Sequence, residues 1–139
     1  IIIIMIAFDI AIVLYLNFKK SDLAILTDIK QIQSGLDAYL VKNAEYPVVI
    51  ETVALNDVYA STQKLCFEGF RKANEKCSRE ILNPIPNSRI NSGGRYKYQS
   101  PDGKNYKIEF FLKTNFKALN ISKGKNCATN SQILSQPCF

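Results

Sequence analysis

Residues 1–20 read IIIIMIAFDIAIVLYLNFKK, and they differ sharply from the ordinary soluble sequence that follows. Only two clearly polar side chains, Asp9 and Asn17, precede Lys19. As a helix that rises ~1.5 Å per residue, the stretch before Lys19 would span roughly 27 Å, close to the ~30 Å hydrocarbon core of a bilayer. Lys19 and Lys20 stand where membrane helices place their headgroup anchors. We therefore expect this segment to lie in a membrane or in a bundle of helices.

Two other interpretations of the apolar segment are weaker. A signal peptide has a basic stretch before its apolar part and a small-residue cleavage site after it, whereas this segment opens on Ile1 and ends in Asn17-Phe18-Lys19-Lys20. A core helix that is apolar on every side needs a large domain around it, and the rest of a 139-residue chain does not easily supply one.

The pattern becomes amphipathic from Ser21 onward. Apolar residues recur at alternating spacings of four and three, which places them on one stripe of a helix. No proline interrupts before Pro47, so the sequence predicts one helix from about Ile2 to Lys42, roughly 60 Å long. The stripe consists of Ile25, Ile29, Ile32, Leu36 and Tyr39.

The second clear signal is a β-hairpin late in the chain. Tyr96 and Tyr98 alternate with lysine, and a longer alternation of apolar and polar residues runs from Tyr106 to Leu112. The turn sequence SPDGK at 100–104 separates them, with proline fixing φ and glycine accepting a positive φ. We expect the aromatic face of this hairpin to pack on the helical stripe, giving an α+β fold.

Other segments give less regular signals. Residues 48–60 are expected to be loop-rich with short β-branched runs, 62–74 to form a short helix that ends near Cys77, and 116–121 to add a third strand. Residues 83–87 and 91–94 have turn and linker composition. The tail, 124–139, is polar and is expected to be held by a disulfide.

Four cysteines in a chain without histidine indicate disulfides in an exported domain rather than a zinc site, which would favour histidine or a Cys-x-x-Cys knuckle. Both neighbouring pairs are separated by eleven positions. Four cysteines allow three connectivities, and we favour closure of the nearest pairs. The residues are Cys66, Cys77, Cys127 and Cys138.

Several of these segments resemble one protein family. The sequence DIKQIQSGLDAYL at 28–40, followed by NAEYP at 43–47, resembles the helix end of bacterial type IV pilins and pseudopilins. The stretch from Gly103 to Lys113 resembles the hairpin of small members of that family, and the loop from Cys127 to Cys138 resembles the C-terminal disulfide loop that many pilins carry. The stretch from Val48 to Asn91 matches only loosely.

The resemblance implies a lollipop-shaped subunit, in which a long N-terminal helix carries a small antiparallel sheet on its distal half. Residues 1–20 would be the transmembrane or filament-core half of the helix, and 21–139 the pilin head. Subunits of this kind wait in the inner membrane and are then assembled with identical copies, by a dedicated machinery, into an extracellular pilus. The residues expected in the filament core are Ile1, Ile2, Ile3, Ile4, Met5, Ile6, Phe8, Asp9, Ile10, Ile12, Val13, Leu14 and Leu16.

The start of the chain departs from the family pattern. Mature pilins begin with a sequence like Phe-Thr-Leu-Ile-Glu, whose glutamate is thought to meet the next subunit's amino terminus, whereas the fifth residue here is Met5. We expect residues before Ile1, because Ile1–Ile4 resemble the run that follows that glutamate. The alternative is that Asp9 takes the place of that glutamate, with the helix shifted along its axis relative to other pilins. A charge within a membrane is costly and needs a partner in either case.

The composition argues against an enzyme and gives no indication of a cofactor. Without histidine the common Ser-His and Cys-His mechanisms are excluded, and Gly93-Gly94 lacks the Lys-Ser or Lys-Thr of a phosphate loop. The formal net charge is +6, so the head could hold DNA or an anionic cell surface, unless the lysines only keep the domain soluble. The candidate binding residues are Arg71, Lys72, Lys76, Arg79, Lys113, Lys117, Lys123 and Lys125.

The sequence therefore favours a structural pilus subunit, most simply a major pilin that serves adhesion, motility or DNA uptake. A minor pilin, or a competence or secretion pseudopilin with a basic head, is the first alternative. The calcium site of some pseudopilins is not expected, because 124–139 contains no acidic residue. The second alternative is a single-pass membrane-anchored binding module.

Overall fold

A computed structural model describes the backbone of residues 2–87 and 94–139 and, within those ranges, the side chains from Asp9 onward. The described chain has one long helix packed on antiparallel sheets, which confirms the predicted α+β arrangement. The expected linker at Asn91–Gly93 and the side chains of Ile1–Phe8 lie outside the described residues. The elements are α1 (Ile2–Asn43), β1 (Val49–Ala54), β2 (Lys64–Cys66), β3 (Gly69–Arg71), β4 (Glu80–Leu82), β5 (Lys97–Ser100), β6 (Lys107–Leu112), the 3-10 turn Lys117–Leu119, β7 (Gly124–Thr129) and β8 (Ile133–Leu134).

Helix α1 matches its predicted bounds to within one residue at its C-terminal end. The amide of Asn43 donates to the carbonyls of Tyr39, at 3.2 Å, and Phe67, at 3.1 Å. Ala44 then adopts a left-handed φ of 61° while its N–H still donates to the Leu40 carbonyl. A left-handed residue at this position is a common way to end a helix, and Pro47 prevents its continuation soon afterwards.

The larger sheet has five strands in the order β1-β5-β6-β7-β8, with every neighbouring pair antiparallel. Its centre is the predicted hairpin, in which Tyr98 lies opposite Ile108. In the connecting turn the Asp102 carboxylate accepts the N–H of Lys104 at 2.9 Å, and Gly103 has a φ of +67°. The turn predicted from the sequence, with a positive φ at Gly103, is therefore the turn that connects β5 to β6.

The helical stripe and the hairpin form one core. All five stripe residues, from Ile25 to Tyr39, are buried in one cluster with Tyr98 of β5 and Ile108 of β6. Tyr98 also donates its hydroxyl to the Pro47 carbonyl at 2.9 Å, which satisfies a polar group in the interior. The predicted docking of the hairpin on the amphipathic part of α1 is confirmed.

A second, three-stranded sheet corrects the prediction of a helix at 62–74. Strands β2 and β3 form a tight hairpin there, and β4 pairs with the other edge of β2. Phe67 and Glu68 connect β2 to β3, and Gly69, the first residue of β3, has a φ of +107°. Every residue of β2 is buried, including Lys64, whose ammonium donates to the Glu75 carbonyl at 2.5 Å and to Glu80 at 3.2 Å. A fully buried three-residue strand has no alternation that the sequence could display.

One further prediction is incomplete and another is wrong. The stretch 48–60, expected to be loop-rich with short β-branched runs, contains β1, whose register against β5 shifts between Val49 and Val53. The expected third strand at 116–121 is a 3-10 turn closed by a bridge between Phe116 and Ile121. The strand that pairs with the far edge of β6 is β7, within the polar tail for which no strand was predicted.

The cysteines are bonded in the nearest-pair arrangement that we favoured. Cys66 is joined to Cys77, with their Cα atoms 5.8 Å apart, and Cys127 to Cys138, with their Cα atoms 5.0 Å apart. The second bond fixes the C-terminal segment against the outer face of the sheet, where the Cys138 N–H donates to Glu109 at 3.1 Å. The disulfides thus hold the two parts of the head that have the shortest strands.

Truncation of the core stripe should destabilise the head strongly. Leu36 is fully buried, so Leu36→Ala leaves a cavity and should lower the free energy of unfolding by about 3 kcal/mol. Val41 is on the same helix but 88% exposed, so Val41→Ala should change it by less than about 0.5 kcal/mol. Urea unfolding followed by circular dichroism, in a mild detergent, measures both; equal effects would contradict the packing described.

The buried tyrosines predict alkaline unfolding. Burial raises the pKa of the Tyr106 phenol to about 12 from its ordinary 10.0. The unfolded chain therefore loses this proton before the folded chain does, and stability falls as pH rises from 10 towards 12. Thermal melts between pH 8 and pH 11.5 should show a smaller alkaline loss for Tyr106→Phe than for the parent. Identical slopes would show that Tyr106 does not titrate in this way.

Candidate functional site

A buried carboxylate marks the point where α1 leaves the head. Asp22 is fully buried on the helix, and it accepts the N–H of Lys113 at 3.0 Å and the N–H and hydroxyl of Thr114, both at 2.7 Å. Hydrogen bonds to an ionised acceptor are among the stronger ones in proteins, and together these offset the cost of burying a charge. Asp22 thereby ties the segment that follows β6 to the helix.

The segment after β6 is held in shape by its own contacts. Phe116 and Ile121 exchange two backbone hydrogen bonds, of 2.8 and 3.2 Å. The side chain of Asn115 accepts the Lys123 N–H at 2.7 Å, which brings the start of β7 back to the same place. Three of the predicted basic residues, Lys113, Lys117 and Lys123, are thus gathered on one short segment beside the helix.

A groove of about 1070 Å³ lies between this segment and α1, and we call it the lysine groove. None of the described residues that line it is acidic. Four are lysines and four are aromatic, a composition suited to an anion beside an apolar surface. The lining residues are Tyr15, Phe18, Lys19, Leu23, Phe111, Lys113, Thr114, Asn115, Phe116, Lys117, Ala118 and Lys123.

Two of the ammonium groups lie over aromatic rings. The Lys113 Nζ is 4.9 Å from the ring centre of Phe18, and the Lys19 Nζ is 5.6 Å from that of Phe116 and 5.7 Å from that of Tyr15. Such cation–π contacts orient the charges without neutralising them. Within the part of the chain that the structure describes, the four groove lysines form no salt bridge.

Lys125 does not join the groove. It lies on β7 opposite Phe111, and its ammonium forms a salt bridge of 3.1 Å with Glu109, a carboxylate that is itself buried on the outer face of the sheet. Lys123 precedes the β7 pairs and remains available to the groove. Lys123 and Lys125 are close in sequence, but only Lys123 lines the groove.

The basic residues near the first disulfide form a second group that does not line the groove. Arg71 lies 3.9 Å from a Glu75 oxygen, and the guanidinium of Arg79 lies 5.4 Å from the ring centre of Phe67. Lys76 is exposed and Lys72 half-buried. Of the predicted anion-binding residues, Lys113, Lys117 and Lys123 therefore line the groove and the other five do not.

The sequence interpretation missed important contributors to the groove. Lys19 was assigned only as a headgroup anchor, and Tyr15, Phe18 and Phe116 were not assigned to a site. Asp22 was detectable, because it lies three residues before Ile25 and so continues the alternating spacing of the buried stripe. A carboxylate in register with an apolar stripe is a signal for a buried polar contact.

Towards its N-terminus from the groove, α1 carries large apolar side chains that are about half exposed in the described chain. Ile10 is 55% exposed and Leu16 is 58% exposed, and the other large apolar residues between them are similarly open. Of the expected filament-core residues, Ile1–Ile6 and Phe8 lie outside the described side chains. Within the residues that the structure describes, no helical segment is long and apolar enough to cross a membrane.

A possible metal cluster of described residues, Cys66, Glu68 and Cys77, is not suited to hold an ion. Both sulfur atoms belong to the disulfide, so neither can act as a thiolate ligand. The Glu68 carboxylate accepts the Ser78 N–H at 3.0 Å, and its hydrogen bonds with Ser78 lower the pKa of Glu68. This arrangement is explained by the local turn alone.

Comparisons of the chain with protein-family profiles, with curated proteins and with solved structures find no match.

Removal of the Asp22 charge should loosen the lysine groove. Asp22→Asn places an amide where three donors converge, so it should cost about 2 kcal/mol of stability and accelerate amide exchange at Lys113 and Thr114. The matched control is Glu51→Gln, which removes one negative charge from an exposed position on β1. Hydrogen–deuterium exchange measures the local effect, and unchanged protection at 113–114 would refute this role of Asp22.

Proposed function

We propose that this chain is a structural subunit of a filament of the type IV pilus kind, with a lollipop architecture and the N-terminal half of α1 as its assembly element. The observation that carries the proposal is the contrast along one helix. From Asp22 to Tyr39 one face of α1 is buried in the head, whereas the large apolar residues from Ile10 to Phe18 are each more than 40% exposed. An apolar surface of this kind marks a site of interaction with protein or lipid.

The free energy available from covering this surface is large. Full burial of a side chain such as leucine or isoleucine contributes about 1.5–3 kcal/mol, and seven large apolar residues between Ile10 and Phe18 are exposed. A helix that is apolar on all sides is stable both in lipid and among copies of itself, because neither environment solvates it with water. This property suits a subunit that waits in the inner membrane and then enters the core of an extracellular pilus.

The head fits a role outside the cytoplasm. The head contains two disulfides, and disulfides persist mainly in oxidising compartments. Its exposed charge is predominantly basic, in keeping with the net charge of +6. These features support an exported head that faces solvent along a filament, and they leave open whether the pilus serves motility, adhesion or DNA uptake.

A second function is favoured by the lysine groove. A minor pilin or pseudopilin would use a basic surface of the head to hold DNA or an anionic cell surface, and the groove collects four lysines without a salt bridge among the described residues. A single-pass anchored module would leave the exposed part of α1 in lipid permanently. All three functions require the described helix, and they differ in whether and how the chain assembles into a filament.

Charge introduced on the exposed part of α1 should abolish filaments. Val13→Glu places a carboxylate at a position that is 56% exposed in the isolated subunit but would be buried between copies, where an unpaired charge is costly. The matched control is Ile50→Glu on the head, at a position that is 73% exposed. In cells that lack the native chain, the fibre yield in sheared surface material, seen by negative-stain microscopy and immunoblot, should fall to background for Val13→Glu only.

Two outcomes would argue against the proposed filament subunit. Fibres that contain Val13→Glu at normal yield would contradict the proposed assembly element. A parent chain that is found only in detergent-extracted membranes, without fibres, would instead favour the anchored module.

A further inference from the structure

We propose that the lysine groove binds the phosphate headgroups of anionic phospholipids, and so seats the head on the membrane surface before assembly. The inference rests on the proposed function in one respect, namely that the subunit resides in a membrane before it enters the filament. It adds a lipid partner and a binding site that the filament role alone does not require.

The groove lies at the boundary between the exposed apolar part of α1 and the head. Tyr15, Phe18 and Lys19 line it from the helix, within about one turn of one another. They lie at the C-terminal end of the exposed apolar stretch. Aromatic rings followed by a lysine are typical of the level where a helix passes from hydrocarbon to headgroups. Any lipid that covers Ile10–Leu16 would therefore bring its headgroups to the groove.

The charge of the groove selects the headgroup. Lys113, Lys117 and Lys123 line the groove from the head, and Lys19 lines it from α1, so four lysines contribute to one concave surface. Asp22 lies behind the segment, where the donors of Lys113 and Thr114 satisfy its carboxylate. Each lysine close to a surface rich in anionic lipid raises the affinity of a protein for that surface by about fivefold. The groove should therefore favour an anionic surface strongly over a neutral one.

A lipid surface fits these observations better than a nucleic acid. Single-stranded nucleic acids bind through aromatic faces that are free to stack on bases. Here the face of Phe18 carries the Lys113 ammonium, and Tyr15 and Phe116 both lie next to Lys19. A nucleic acid in the groove would also contact the apolar side chains of α1, which lipid tails would cover at the same time as the headgroups fill the groove.

The test measures the preference of the unassembled full chain for anionic over neutral bilayers. The chain is equilibrated between sucrose-loaded vesicles of phosphatidylcholine with 25% phosphatidylglycerol, which pellet, and unloaded vesicles of phosphatidylcholine, which do not. Because the apolar helix inserts in both, the ratio of bound protein reports the headgroup contribution. The triple variant Lys113→Gln, Lys117→Gln, Lys123→Gln should lower this ratio by about 100-fold in low salt, and 0.5 M NaCl should remove most of the difference.

Two matched variants isolate the groove. Lys72→Gln, Lys76→Gln, Lys104→Gln removes the same charge from positions that do not line it and should lower the ratio by no more than about threefold. Lys113→Arg, Lys117→Arg, Lys123→Arg keeps the charge and should keep the ratio. Equal losses in the two glutamine variants would overturn the proposal, because any reduction of net charge would then suffice.

A parallel titration with a fluorescent oligo-dT of 20 nucleotides tests the rival occupant. If the groove variant loses oligonucleotide binding while its vesicle ratio is unchanged, the groove is a nucleic-acid site and the lipid proposal is wrong. The vesicle assay uses unassembled chains, so its failure leaves the filament proposal intact. Absence of fibres would, conversely, leave a measured lipid preference standing.

Discussion

The buried stripe of α1 from Asp22 to Tyr39 makes the contact on which the rest of the structure depends. Its apolar members pack against the hairpin of β5 and β6 and build the one core that the described head has. At its end, Asp22 replaces an apolar contact with hydrogen bonds to Lys113 and Thr114. The stripe therefore fixes both the position of the sheet along the helix and the point at which the helix leaves it.

That end point creates two environments on one continuous helix. C-terminal to Asp22 the head covers one face of α1, and N-terminal to it the described apolar side chains are open. The lysine groove forms at the junction because the segment held by Asp22 faces helix residues one or two turns earlier. Filament assembly and lipid binding are thus proposed for adjacent parts of one surface, and a subunit that enters a filament would exchange lipid for neighbouring copies there.

The sequence predicted the elements in which a period is sustained. The spacing from Ile25 to Tyr39 covers four turns, and the alternation from Tyr106 to Leu112 covers a whole strand, so both appear in the structure as expected. Strands β2, β3 and β4 have three residues each, too few to show a period, and the pairing of β4 with β2 joins residues that are not neighbours in sequence, such as Leu65 and Leu82. The burial of Lys64 could not be predicted from its local sequence, because its partner Glu80 is sixteen positions away.

The candidate site was predictable only where its residues are close in sequence. Lys113, Lys117 and Lys123 were recognised as a cluster, since one short segment carries them. Lys19 joins them only through tertiary packing almost a hundred residues away, which no local pattern encodes. Lys125 is close to them in sequence, but it forms a salt bridge with Glu109 and does not line the groove.

The central claim is that the open part of α1 is covered by copies of itself in an extracellular fibre. A cryo-electron microscopy reconstruction of fibres sheared from cells that make this chain tests it most directly. The account predicts that Ile10 to Phe18 of neighbouring subunits bundle along the fibre axis, with the heads outside and the groove at the boundary. Fibres in which these side chains face solvent, or in which heads alone make the contacts between subunits, would contradict it.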